Sequence, residues 1–231
     1  MRHIFSLIII CLFGRLGLAE ESHYNYGLEG GLNSGNISIS EENTNEKSRL
    51  GVVAGIYWEF FTDNFITFLP GAYVVGKGYR PASDSNQAIV LNYFQLRLIG
   101  RLPIVRSQGS RFYLDFGGTA DVITQKGTQN IPSPAPLTYV RNFDSSVMGG
   151  LGFETDLTTS LKIAFNAKYH YGFINIYNTS SLTTGSSTVA LPKAYNHGFF
   201  LTTALQFFTE SQKEISTEER ARDYINRKPT P

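Results

Sequence analysis

Apolar and polar residues alternate with a period of two along most of this chain, the pattern of strands whose two faces meet different surroundings. The clearest case runs from 161 to 173. Leu161, Ile163, Phe165, Ala167, Tyr169, Tyr171 and Phe173 share one face, and Lys162, Ala164, Asn166, Lys168, His170 and Gly172 the other. A run of 13 such residues is long for an average strand of about 5–6. It suits a tilted strand crossing a bilayer, which needs about 9–11.

The same alternation predicts seven more strands, at 24–33, 50–60, 65–77, 92–102, 111–123, 144–154 and 196–208. The total is eight, an even number as single-chain bacterial barrels have. The links between them alternate strictly in length. Segments 34–49, 78–91, 124–143 and 175–195 are long, while 61–64, 103–110 and 156–160 are short. Short turns at one rim and long loops at the other characterise an outer-membrane barrel, with the turns periplasmic and the loops extracellular. The expected fold is therefore all-β, an eight-stranded antiparallel up-and-down transmembrane β-barrel.

Charge assigns the faces. The polar faces collect Glu29, Glu59, Asp115, Asp121 and Glu154 with Lys77, Arg97, Arg101, Lys162 and Lys168. A soluble barrel would turn these outward as a solvated surface. The opposite faces are crowded with Phe and Tyr, including Tyr24, Phe60, Phe112, Phe173 and Phe207 near strand ends, as expected of interfacial aromatic girdles. The charges are thus expected to point inward, where an eight-stranded barrel is just wide enough for side chains to fill. Buried charges are tolerable only when paired. The expectation is a lumen charge network that plugs the barrel, in place of an open channel.

Composition agrees with this arrangement. Only 17% of residues are charged and 13% are aromatic, against a globular norm of roughly 25% charged. A net charge of +1 gives no electrostatic reason to expect nucleic acid as a partner.

The ends are different material. Arg2 and His3, an apolar run from Ile4 to Phe13, and Gly17-Leu18-Ala19 read as a signal peptide over 1–19. That run is too short for a spanning helix, which needs about 20 residues. Cys11 follows Ile10, where a lipidation box needs a small residue, so no lipid anchor is expected. The barrel domain is assigned to 20–208. Residues 209–231 carry ten charges, five of each sign, and read as a polar periplasmic tail with too few apolar residues to repay ordering.

Several short motifs resemble the PorT-like outer-membrane beta-barrel family. They include Gly27-Leu28-Glu29-Gly30-Gly31-Leu32-Asn33, Phe65-Ile66-Thr67-Phe68-Leu69-Pro70, Leu91-Asn92-Tyr93, Phe112-Tyr113-Leu114, and Gly149-Gly150-Leu151-Gly152. The resemblance covers about 24–208 and implies an outer-membrane barrel, usually without an assigned activity, whose namesake is linked to protein secretion. Gly71 stands where that family has an acidic residue after the proline.

No constellation for catalysis is evident. A lipid-directed hydrolase needs a base held against a nucleophile. After removal of 1–19 the histidines are His23, His170 and His197, with His170 expected in the lumen and His197 facing lipid near the outer rim. No Cys or His cluster has metal-ligand spacing, and no cofactor is expected. The chain reads as a non-enzymatic outer-membrane protein with a structural or surface-interaction role through its extracellular loops. Its expected partners are outer-membrane lipid, the barrel-assembly machinery, and a protein partner at the loops or tail. The alternatives are a lipid-modifying enzyme on the same scaffold and a soluble periplasmic β-barrel.

Overall fold

Eight of the chain's strands close into one barrel because each presents an apolar row on one side and a polar or small row on the other. They are β1 (Tyr24–Ile39), β2 (Lys47–Thr62), β3 (Ile66–Arg80), β4 (Ala88–Ser107), β5 (Ser110–Gln129), β6 (Phe143–Thr158), β7 (Leu161–Gly172) and β10 (Ala194–Phe207). The computed structural model describes residues 24–39, 46–62, 66–81, 86–107, 109–130, 137, 139–177, 181–184, 187–190 and 193–207. The expected signal peptide (1–19), the polar tail (209–231) and the proline-rich stretch 131–136 lie outside them.

Every neighbour is antiparallel, and the order β1-β10-β7-β6-β5-β4-β3-β2 is the sequence order closed by one long pairing of first strand with last. That closing pairing runs from Tyr26 opposite Phe207 to Ile39 opposite Ala194. Closure removes the sheet edges that an open barrel would expose.

The strands extend further than alternation alone indicates. β4 and β5 each have 20 residues and pair from Ala88 opposite Gln129 to Ser107 opposite Ser110. The expected loops 78–91 and 124–143 are correspondingly shorter, and the expected turn 103–110 contracts to two residues around Gly109, whose φ of 74° suits a tight reversal. Backbone pairing does not require an apolar row, so the ladder continues past the membrane belt. Pro103 lacks an N–H, and the β4–β5 register slips beside it, between Pro103 and Val105. The fourth long loop also contains a small hairpin, β8 (Ser181–Thr184) with β9 (Ser187–Ala190), in a Ser/Thr-rich stretch without alternation.

Exposure decides the orientation of the faces. Val52 is 68% exposed, Leu98 58% and Leu201 60%, whereas Glu59, Asp121 and His170 are 0% exposed. A soluble barrel would have these values reversed. The barrel is an apolar-out, polar-in structure, as a bilayer demands. Aromatic pairs punctuate the outer surface, with Tyr26 stacked on Phe207 at 5.2 Å and Phe112 against Phe153 at 4.7 Å.

Two fillings occupy the interior. Tyrosines lie across the wall where glycines make room, the ring of Tyr57 over Gly27 and that of Tyr113 over Gly152; a Cβ at either glycine would overlap the ring. Towards the long-loop end, Ile37, Tyr79, Ile89, Leu91, Tyr93, Val140, Ile176 and Ala194 form a separate apolar cluster. Segments of the third and fourth long loops bind each other over it. Val140 bridges Tyr177, Arg141 N donates to Ile176 O at 2.7 Å, and Ile176 N donates to Ala194 O at 2.9 Å.

Candidate functional site: the lumen charge network

Strand parity delivers charged side chains from seven different strands to one interior. Glu29 (β1), Glu59 (β2), Lys77 (β3), Arg97 and Arg101 (β4), Asp115 and Asp121 (β5), Glu154 (β6) and Lys168 (β7) are all buried, and Lys162 sits at the short-turn rim with its side chain 22% exposed. Most of them join a single chain of contacts. Arg97 Nη1 lies 3.4 Å from Glu29, whose other oxygen is 3.6 Å from Lys168 Nζ. Lys168 is also 3.3 Å from Asp115, which takes two bonds from Arg101 at 2.9 and 3.0 Å. Arg101 reaches on to Glu154 at 3.2 Å. Arg111 then links Glu154 to Glu59, at 2.7 Å to each, and Lys162 approaches Glu154 at 3.4 Å.

Neutral groups complete the coordination of these charges. Tyr73 and Thr202 hydroxyls donate to Glu29 at 3.1 and 2.8 Å. The guanidinium of Arg97 lies 3.8 Å from the Tyr73 ring centre and that of Arg101 3.6 Å from the Tyr113 ring centre, so the cations gain cation–π attraction in a desolvated place. An isolated charge here would cost several kcal/mol. The shared, multiply bonded arrangement offsets that cost and ties non-adjacent strands together.

Lys77 and Asp121 form a second, separate pair nearer the apolar cluster, 2.5 Å apart and both buried. Lys77 also lies over the Tyr93 ring at 4.8 Å. Asn196 bridges the neighbourhood, donating to Asp144 at 2.7 Å and to the Tyr93 hydroxyl at 3.2 Å.

Sequence reasoning missed Arg111 and Asp144. Both begin predicted strands and share the parity of the polar face, with Tyr113 and Asp115 in one case and Ser146 and Glu154 in the other, so the signal was present. One adds a cation and the other an anion. The set becomes six anions, Glu29, Glu59, Asp115, Asp121, Asp144 and Glu154, with six cations, Lys77, Arg97, Arg101, Arg111, Lys162 and Lys168. The neutral Asn33, Gln95, Asn166 and Gln206, also buried, share that parity signal but have little weight in a search for charges.

The two histidines are far from any triad geometry among the described residues. His170 is buried with its ring 5.0 Å from Phe200, and neither ring nitrogen has a hydrogen-bond partner there. His197 faces outward, its Nδ1 3.3 Å from the Tyr169 hydroxyl. No group of three or more His, Cys, Asp or Glu among the described residues is arranged to hold a metal ion.

A family model described as "Outer membrane protein beta-barrel domain" matches residues 19–178. No curated protein matches the chain. Among solved structures, the chain is similar to Neisserial surface protein A, with 10% identity and a TM-score of 0.46, covering 80% of this chain and 97% of that one. It is similar to the outer membrane protein OprG from Pseudomonas aeruginosa, with 12% identity and a TM-score of 0.45 over 81% and 98% of the two chains. It is also similar to the outer membrane protease OmpT from Escherichia coli, with 9% identity and a TM-score of 0.40 over 81% and 97%.

Proposed function

We propose that this chain, which belongs to the outer membrane protein beta-barrel domain family and resides in the outer membrane, is a closed, non-enzymatic barrel that works through its long extracellular loops. Within that family we place it with the PorT-like barrels. The observation that carries this reading is the lumen: eight charged groups in continuous contact, from Arg97 through Glu29, Lys168, Asp115, Arg101, Glu154 and Arg111 to Glu59, cross it from wall to wall. Such a barrel is a rigid pedestal. Opening it for a solute would require breaking several desolvated ion pairs at once. What is left to vary is the loop surface at the outer rim, where contact with a protein partner is made; lipid and the assembly machinery are the partners of the barrel itself.

Reconstitution in planar bilayers tests the reading. The full chain is expected to insert without stepwise conductance, and steady, solute-permeable channels in the wild-type protein would overturn it. The enzymatic alternative is tested separately. Lipid A and phospholipid profiles of cells carrying His170→Ala or His197→Ala are expected to match those of wild type, and a shifted profile would favour a lipid-modifying enzyme.

A further inference from the structure

Midway along β5 the outward row loses its bulk. Gly118 and Ala120 stand there, flanked across the ladders by Leu98 and Leu96 of β4 and by Val147 of β6, the last three all more than half exposed. The result is a groove of about 600 Å³ on the outer wall, with Phe68 towards one end and Phe173 towards the other. Phe68 lies near the start of β3, at the short-turn rim, and Phe173 directly follows β7, at the long-loop rim. The groove therefore crosses most of the apolar belt. Nothing inside the protein calls for glycine at 118. Its backbone is outside the left-handed region, and a Cβ there would meet nothing nearer than the Ser146 carbonyl oxygen at 3.6 Å, an ordinary contact. Glycine weakens a strand interior. Unlike Gly27 and Gly152, which make room for a tyrosine ring of the same chain, Gly118 leaves its space on the outside of the wall.

Width and polarity select the occupant. β4 and β6 lie two strand spacings apart, about 9.6 Å between backbones, and the side chains of Leu98 and Val147 take up part of that. An α-helix with its side chains is about 10–12 Å across and is too wide. A hydrocarbon chain is one carbon thick and needs only the usual contact distance of about 3.5–4.0 Å on each side. A second copy meeting this face about a two-fold axis would set groove against groove and leave both unfilled. The Ser145 hydroxyl, at the Phe173 end, donates to the Thr119 carbonyl at 2.8 Å, so it puts no unpaired donor into the groove. The groove is also continuous with the outward apolar belt that meets the bilayer. We propose that the groove over Gly118 and Ala120 is a lipid-binding site that holds one straight acyl chain of a membrane lipid. Van der Waals packing on three sides distinguishes this chain from the rest of the annulus, since lipid tails and the wall are equally apolar.

Native mass spectrometry of the full chain in detergent micelles doped with dimyristoyl phosphatidylethanolamine tests this. The wild type is expected to retain one lipid through a detergent wash. Gly118→Leu, whose side chain fills the groove, is expected to lower that retention about tenfold, the scale of losing roughly ten carbon–carbon contacts. Ala120→Leu is expected to act in the same direction and serves if the first variant does not fold, which heat-modifiable gel mobility reveals. Gly30→Leu, on the outward face of β1 and diametrically opposite β5 in the ring of strands, is expected to leave retention unchanged. Diphytanoyl phosphatidylethanolamine, whose methyl branches are too wide for the groove, is expected to be held by the wild type as weakly as the straight-chain lipid is held by Gly118→Leu. Unchanged retention in the folded groove variants overturns the proposal, as does an equal loss from Gly30→Leu, which would make the effect one of the whole annulus. A wild-type dimer that Gly118→Leu breaks would give the groove to a second copy and overturn it too.

Discussion

Arg101 and Asp115 stand directly opposite each other in the β4–β5 ladder and their side chains meet in a two-bond pair, Nε to Oδ1 at 2.9 Å and Nη2 to Oδ2 at 3.0 Å. The pair is both a cross-strand contact and the middle of the lumen network, since Arg101 also reaches Glu154 and Asp115 also accepts Lys168. A local pairing of neighbours is thereby coupled to β6 and β7.

Breaking that pair from one side strands the other charges. Arg101→Met is expected to destabilise the folded barrel by about 3–5 kcal/mol, because Asp115 and Glu154 lose a shared cation in a desolvated interior. Arg101→Met combined with Asp115→Leu is expected to cost less than the sum of the single changes. Urea unfolding in lipid vesicles, followed by Trp58 fluorescence, measures both; strict additivity would show that the pair carries no coupling.

Gly152 and Tyr113 offer a steric test. A methyl group at Gly152 would overlap the Tyr113 ring, so Gly152→Ala is expected to cost about 1–3 kcal/mol through overpacking. Adding Tyr113→Leu to Gly152→Ala is expected to relieve part of that penalty. An alanine at 152 that leaves unfolding unchanged would mean the ring has freedom to move aside.

The outward face is testable by depth. Leu98→Arg, in the middle of a wall strand and opposite Gly118 and Pro70, is expected to cost about 2–4 kcal/mol in a bilayer, whereas Leu50→Arg near the outer rim is expected to cost about 0–1. Equal and negligible costs at both positions would describe a surface bathed in water.

Side chains fill the lumen at two levels, the ionic network and the apolar cluster beneath the docked loops. Arg97→Ala with Lys168→Ala is therefore expected to remain silent in planar bilayers, and to conduct only when Leu91→Ala and Ile176→Ala open the outer cluster as well. Conductance from the lumen variant alone would place the whole barrier in the ionic network.

Much of this molecule was legible in its sequence. Alternation of period two is a local property, so it revealed which residues share a face in all eight barrel strands, and the alternation of loop lengths revealed their connectivity. Strand ends were less legible. The ladder of β4 and β5 runs on through Gln125 to Gln129 and through Arg106 and Ser107, where no apolar row marks it, because backbone hydrogen bonds hold a hairpin regardless of which side chains it carries. Arg111 and Asp144 were overlooked for a related reason: they lie at the frayed ends of the pattern, where parity is weakest.

The sequence by itself determined the fold class, the sidedness of each strand and the balance of charge consigned to the interior. Only the tertiary structure decided which charge meets which. Arg97 contacts Glu29 and Arg111 contacts Glu59 across 68 and 52 residues of chain, and neither pairing has any local signature. Those contacts depend on the tilt and stagger with which the strands close, and the six buried anions could have been matched to the six cations in many ways. The same holds for the outer apolar cluster, which gathers Ile37, Leu91, Val140 and Ile176 from four distant stretches. Periodicity is read along one strand, whereas pairing inside a closed barrel is set by the geometry of all of them together.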